Sequence, residues 1–497
     1  MPELMSFSFS QLHFQLLIPM AISLLGGIVI LGVGIFNKSN TRDLCVSISV
    51  LFVLLNLGFI LGVLIETYHA SGFFNLLLVD GISLLTQIII LTSALLLFPL
   101  FINKTNLPEC QKPEFYALFL FSIAGFGFMV SSNNLILILL GLETASLSLY
   151  ALIALHNRSS AFEASIKYFT MGSLATAFYA FGAMLLYTAT GSVDTIGIAQ
   201  FLQQHAFEPS PLAIIGFILM LCALGFKISV VPFHTWGPDV YEGSNSLLAA
   251  FISIAPKIAT FAVTLRIFDV FISSDNVWIE YVLYALVILT MSVPNLIALI
   301  QEDVKRMLAY SSISHSGFVL GAILINTHQS HTILFFYWFL FLFTNIGAFA
   351  ILWLMQDDDH TFHPRFSHPY AKFSGMIHTS PILAILLSVF MIALAGIPPL
   401  SVFWGKMYLM ASALDAGYIA LAIFMAINST IAAFYYFKLV VYIFVKEPHS
   451  LSTNFDSHLC LASKGVLTIS LAVSVLSLFL VQNLLEFISK YIGNSGF

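Results

Sequence analysis

The sequence predicts an all-α polytopic membrane protein of about 14 transmembrane helices, with two inverted five-helix repeats that each contain a broken helix. Composition, apolar runs and the placement of Lys and Arg carry that expectation. Of 497 residues, 59% are hydrophobic and only 8% charged. Mean hydropathy is +0.97, whereas a soluble domain carries about 25% charged residues.

Runs of about 20 apolar residues, long enough to cross hydrocarbon as a helix, recur along the chain. They place spans near 14–36, 44–66, 76–102, 115–132, 134–156, 165–190 and 211–232. Further runs cover 244–271, 277–301, 303–326, 330–355, 379–414 (broken), 416–446 and 464–488. The first follows MPELMSFSFSQLHFQ, which has no Lys or Arg. That is a poor signal-peptide start, so a retained helix is expected.

With the N-terminus outside, the cytoplasmic side holds Lys38, Arg42, Lys104, Lys112, Arg158, Lys305, Arg306, Arg365, Lys372, Lys446 and Lys464. The outer side holds Arg266 and Lys490. This positive-inside bias predicts both termini outside.

Pro232 and Pro398 lie 166 positions apart, and that shift superposes the fourth to eighth spans on the ninth to thirteenth. Five is odd, so the second unit is inverted, an architecture seen in secondary transporters. The expected divisions are 1–114 (three helices), 115–275 (first repeat), 276–446 (second repeat) and 447–497 (last helix).

Several function classes fall away. No basic stretch suggests nucleic acid. Cys45, Cys110, Cys222 and Cys460 match no metal, iron–sulfur or disulfide spacing. Neither GxGxxG nor GxxxxGK[ST] occurs. No cofactor is therefore expected in this chain.

The chemistry concentrates in charged residues at depth. Glu143 sits nine residues into its run, about 14 Å at 1.5 Å per residue. Lys227 precedes Pro232 by five residues, Lys257 is near the middle of the eighth span, and Lys406 follows the Pro398–Pro399 break. Lys167 is shallower and able to snorkel to the cytoplasmic surface. An intramembrane ionisable residue is costly and marks function by default. A static Glu143–Lys227 pair is one reading. Three deep lysines for one deep acid favour a proton relay.

Pro232 deprives the Ile228 carbonyl of its helical donor, and Pro398 and Pro399 do the same to Leu394 and Ala395. Freed carbonyls need side chains or water. His234, just past Pro232, titrates near neutral pH when unperturbed; it either passes protons between lysines or is satisfied at a helix end. His315 is equally open.

Glu302–Arg306 is expected to form solvated ion pairs in a turn. His360, His363 and His368 beside Asp357, Asp358 and Asp359 suggest either an exposed polar loop or a metal tract. Asp80 is expected at the interface only, and the 48 Phe fill the membrane.

LGFKISVVPFHTWGPDVYEGS, GLETASLSLYAL, EDVKRMLAYSSISHSGF and AGIPPLSVFWGK resemble the antiporter-like membrane subunits of respiratory complex I and of Mrp-type cation/proton antiporters. The resemblance spans about residues 70–446, and GLETASLSLYAL with Lys406 favours the subunit N type of NADH–quinone oxidoreductase. It implies a proton-translocating subunit in which Glu143 modulates Lys227, Lys257 connects onward, Lys406 stands near the outer exit and His234 bridges. Lys167 also matches a lysine of this subunit type.

The resemblance further implies FMN, iron–sulfur clusters and quinone in partner subunits. It implies antiporter-like M-type and small K/J/A-type membrane-arm neighbours, contact with lipids, and a bacterial inner membrane (alternatively a plastid thylakoid). An Mrp-type Na⁺/H⁺ antiporter subunit is the rival function, and a purely structural scaffold a third.

Overall fold

The computed structural model describes residues 12–36, 41–66, 70–102, 108–204, 210–272, 277–355, 367–448 and 459–493. Three helices come first: α1 (Ile18–Phe36), α2 (Arg42–Glu66) and α3 (Gly81–Leu97). A short antiparallel hairpin, β1 (Ala70–Gly72) and β2 (Leu77–Val79), joins α2 to α3.

Next come α4 (Pro113–Val130), α5 (Leu135–Ala154), α6 (Ser159–Thr190), α7 (Thr195–Gln204), α8 (Pro211–Ile228), α9 (Trp236–Gly243) and α10 (Ser246–Ile272). The third group is α11 (Val277–Leu299), α12 (Val304–Ile325), α13 (His328–Leu354), α14 (Met376–Thr379), α15 (Pro381–Ala395), α16 (Ser401–Asp415) and α17 (Ile419–Phe444). α18 (Leu461–Gly493) closes the described chain.

Among the described residues, 13 helices are long and apolar enough to cross a membrane. The remaining expected span is broken into α15, a shorter apolar helix, and α16, in keeping with about fourteen spans. The seventh span is also interrupted, between α8 and α9.

Helix starts are set by capping side chains, which satisfy otherwise orphaned N–H groups. Asn134 accepts from Ile136 N and Leu137 N, Ser210 from Ala213 N, and Asp303 from Lys305 N and Arg306 N. Asp80 forms a capping box with Ser83.

Burial separates an inner axis from an outer shell. The most apolar windows of α10, α12 and α13 are 100%, 94% and 94% buried, against 28% for α2 and α6. An apolar outer face suits lipid or neighbouring subunits. α4 and α5 touch backbone to backbone: a Cβ on Gly141 would lie 2.5 Å from Met129 N. Only glycine permits that approach.

Equivalent pairs pack in the two halves. α4 lies on α5 and α6 on α8 and α9; α11 lies on α12 and α13 on α15 and α16.

Candidate functional site

α8 ends one residue after Lys227. Ser229 adopts a left-handed conformation (φ 67°), and the Val230 N–H donates to Gly225 O at 2.7 Å. The Trp236 indole N–H, from the start of α9, donates to Phe226 O at 2.9 Å. Backbone and an indole thus satisfy these carbonyls, leaving the Lys227 ammonium to turn elsewhere. It donates to Ser146 Oγ at 2.8 Å and Tyr150 OH at 3.3 Å, both on α5.

Glu143, on the same helix, does not pair with Lys227 within 4 Å. Its carboxylate accepts from Thr176 Oγ on α6, although its charge still acts on Lys227 through space. The static pair weighed from sequence is therefore absent among the described contacts.

Lys257 is 2% exposed and follows Pro256 inside α10. Its ammonium donates to Ser312 O at 2.9 Å and Ser312 Oγ at 2.7 Å; Tyr241 OH lies 3.3 Å from the same hydroxyl. His234 makes no hydrogen bond to either lysine, and its Nδ1 is buried without a partner. One turn beyond Ser312 on α12, His315 Nδ1 lies 2.6 Å from Tyr337 OH and Nε2 3.2 Å from Tyr436 OH. Tyr436 also bonds Ser311, the neighbour of Ser312.

The second break is built differently. Gly396 (φ 83°) and Ile397 return their N–H groups to Ala393 O and Ile392 O. The next two carbonyls are those freed by the prolines, and Lys406 takes them: its ammonium donates to Ala395 O at 2.9 Å, Leu394 O at 3.4 Å and Ser429 Oγ at 3.3 Å. The lysine stem crosses Gly396, where a Cβ would meet Lys406 Cδ at 2.8 Å. Glycine there satisfies both the positive φ and the close approach.

Lys167 stands apart from this interior line. It is 43% exposed and pairs with Glu163 at 2.7 Å and Asp239 at 2.8 Å. Arg306 pairs with Asp239 at 3.2 Å and with Glu242. Burial pushes the Asp239 carboxyl up, but hydrogen bonds and charge from Lys167 and Arg306 outweigh it and leave it below its ordinary value.

Two expectations need correction. The Glu302–Arg306 turn is not simply solvated: Asp303 and Lys305 are buried, and Lys305 donates to Ser244 O. Asp80 is not merely interfacial. It accepts from Arg266 at 2.6 Å, both side chains being 1% exposed; Arg266 also reaches Asn133 Oδ1 at 2.7 Å. Packing of α10 on α3 buries both charges.

His368 is buried, bonding Leu352 O at 2.9 Å. His360, His363 and Asp357–Asp359 lie outside the described residues. Among the described residues no group of His, Cys, Asp or Glu is arranged to hold a metal.

Sequence reasoning missed the hydroxyl partners. Glu143, Ser146 and Tyr150 do share a helical face by spacing, which was the available signal for α5. Nothing in the spacing of α12 named Ser312 as the partner of Lys257.

Residues 132–432 match the family pattern described as NADH:quinone oxidoreductase/Mrp antiporter, transmembrane. The chain is 68% identical over 494 residues to NADH-quinone oxidoreductase subunit N of Helicobacter hepaticus, covering 99% of this chain and 100% of that one. It is 46% identical to the subunit N of Sulfurimonas denitrificans, covering 99% of each.

Among solved structures, it resembles a chain of respiratory complex I from Thermus thermophilus with bound aureothin. There the identity is 29% and the TM-score 0.76, over 93% of this chain and 98% of that one. A chain of the Mrp complex from Dietzia shares the fold at 21% identity and TM-score 0.81, over 97% of each.

Proposed function

The chain belongs to the NADH:quinone oxidoreductase/Mrp antiporter family of membrane subunits, and on that premise we propose that Glu143, Lys227, Lys257 and Lys406 form its proton relay. It is a multi-pass membrane subunit of an NADH–quinone oxidoreductase, a translocase; the Mrp antiporter is a distant relative.

One observation supports the relay: among the described residues Lys227, Lys257 and Lys406 pair with no carboxylate, and each is held by hydroxyls or carbonyls. A carboxylate partner would lock the charged form, because removing either member of a buried pair strands a charge. Hydroxyl and carbonyl oxygens accept from an ammonium or from a neutral amine alike. Lys227 and Lys257, with two acceptors each, can therefore lose a proton and keep their bonds, whereas neutral Lys406 gives up one of its three.

In this reading protons enter from the cytoplasm near Lys227, whose charge responds to Glu143. They move laterally through Lys257, by Ser312 and the His315–Tyr436 group, and leave near Lys406. His234, with its unpartnered Nδ1, serves as a bridge between Lys227 and Lys257, and Lys167 acts at the cytoplasmic mouth. Residues 115–275 and 276–446 are the two inverted units, flanked by 1–114 and 447–497.

The surroundings are a bacterial inner membrane with both termini outward. M-type and small K/J/A-type subunits are neighbours, and FMN, iron–sulfur clusters and quinone reside in partner subunits.

Lys227→Ala tests the relay. The assembled complex should oxidise NADH with fewer protons moved per electron pair. Undiminished pumping by a fully assembled variant removes Lys227 from the path.

A further inference from the structure

A polar cavity of about 260 Å³ opens between α6 and α9, lined by Ser159, Ser160, Glu163, Lys167, Asp239 and Glu242. Its charged wall is a continuous chain. Glu163 bonds Lys167, Lys167 bonds Asp239, Asp239 bonds Arg306 and Arg306 bonds Glu242. The chain ties α6, α9 and α12 together at one point.

Two of the tied helices, α6 and α9, also carry a buried aromatic ring close in sequence to the clasp. Tyr168 is the next residue after Lys167, and Trp236 precedes Asp239 by about one helical turn. Their rings stack at 4.4 Å and 7°. Both are at most 2% exposed. Behind them, Tyr150 meets Tyr168 edge-on at 4.7 Å, and Tyr150 OH holds Lys227.

Contact by contact, the elements that carry the clasp also carry the stacked pair, the pair touches Tyr150, and Tyr150 holds Lys227. A proton crosses protein along hydrogen-bonded groups or water, and two apposed ring faces offer neither. The clasp and the stack are carried by the same two elements, α6 and α9, so a shift of α9 that parts Lys167 from Asp239 also parts Tyr168 from Trp236.

We infer that this cavity is the loading vestibule where hydrated protons collect before reaching Lys227, and that the Tyr168–Trp236 stack is the gate that closes it. The inference rests on the reading of Lys227 as a relay lysine. Asp239 is then a positioning residue, since it holds α9 closed through Lys167 and Arg306 and does not itself meet Lys227.

The test uses the intact complex in proteoliposomes without substrate, following decay of an imposed pH gradient. Trp236→Ala should speed decay several-fold, Trp236→Phe should stay tight, and adding Lys227→Ala to Trp236→Ala should abolish the leak. A tight Trp236→Ala variant that pumps normally overturns the gate. A leak that survives the added Lys227→Ala keeps a barrier at Trp236 but removes Lys227 as its inner end, and so separates failure of the relay from failure of the gate.

Should the Trp236 variants fail to assemble, a second measurement applies. In a chain with its four cysteines replaced by serine, Ser160→Cys should react with a membrane-impermeant maleimide and Ser146→Cys should not. A reactive Ser146→Cys overturns the closed gate.

Discussion

Lys227→Met and Lys406→Met should both stop proton transfer, yet differ in what they do to stability. Each substitution removes one buried ammonium and keeps most of the stem volume, so desolvation relief and packing largely cancel in the comparison. What differs is the set of groups left behind. Lys227 is held by Ser146 and Tyr150 hydroxyls, and Ser146 already donates to Leu142 O. Hydroxyls rotate to new partners, so about 1 kcal/mol or less is lost.

Lys406 instead serves Ala395 O and, at longer range, Leu394 O. Those carbonyls have no helical donor because Pro398 and Pro399 lack N–H groups. A buried carbonyl left unpaired costs about 1–3 kcal/mol. Allowing less for the longer bond, Lys406→Met should cost about 2–3 kcal/mol more than Lys227→Met. The assay is thermal dissociation of the purified complex in detergent, followed by native electrophoresis, alongside the pumping stoichiometry. Equal midpoints for the two variants refute the assignment of Lys406 as the donor that satisfies the second break.

Other outcomes follow from the same contacts. Arg266→Met strands Asp80 in a buried site and should cost about 3–5 kcal/mol; Asp80→Asn combined with Arg266→Met should recover most of it, and a double variant as unstable as the single contradicts the pairing. Glu143→Gln keeps an acceptor for Thr176 while removing the charge, so assembly should persist as protons moved per electron pair fall; normal stoichiometry shows that the charge is not used. Asp239 is held below its ordinary value by Lys167 and Arg306, so its contribution is present above the unfolded carboxylate value of about 3.9 and is lost as pH falls through the lower folded value. Intrinsic-rate-corrected hydrogen exchange of the α9 amides should therefore rise below about pH 4; protection that does not change there refutes the clasp.

Much of this molecule is legible without coordinates because membrane burial acts residue by residue. Length and apolarity locate the spans, and the missing N–H of Pro232, Pro398 and Pro399 locates the breaks. Cost at depth marks Lys227, Lys257 and Lys406. Even the carbonyls freed at the second break, Leu394 and Ala395, are the ones that accept from Lys406.

What failed was partner choice and, with it, burial near the ends of spans. Asp80 and Arg266 both suggested surface positions, yet their helices pack and hide them. Lys305 was expected in water and instead holds the Ser244 carbonyl.

Local chain chemistry was enough to give the class of protein, the place of the two breaks and the depth of Lys227, Lys257 and Lys406. What those charges touch depends on packing between distant segments. Lys227 meets Ser146 across 81 residues, Lys257 meets Ser312 across 55, and Arg266 meets Asp80 across 186. Such contacts are fixed by how helices rotate and pack against one another, and periodicity along a single helix carries no record of the facing one.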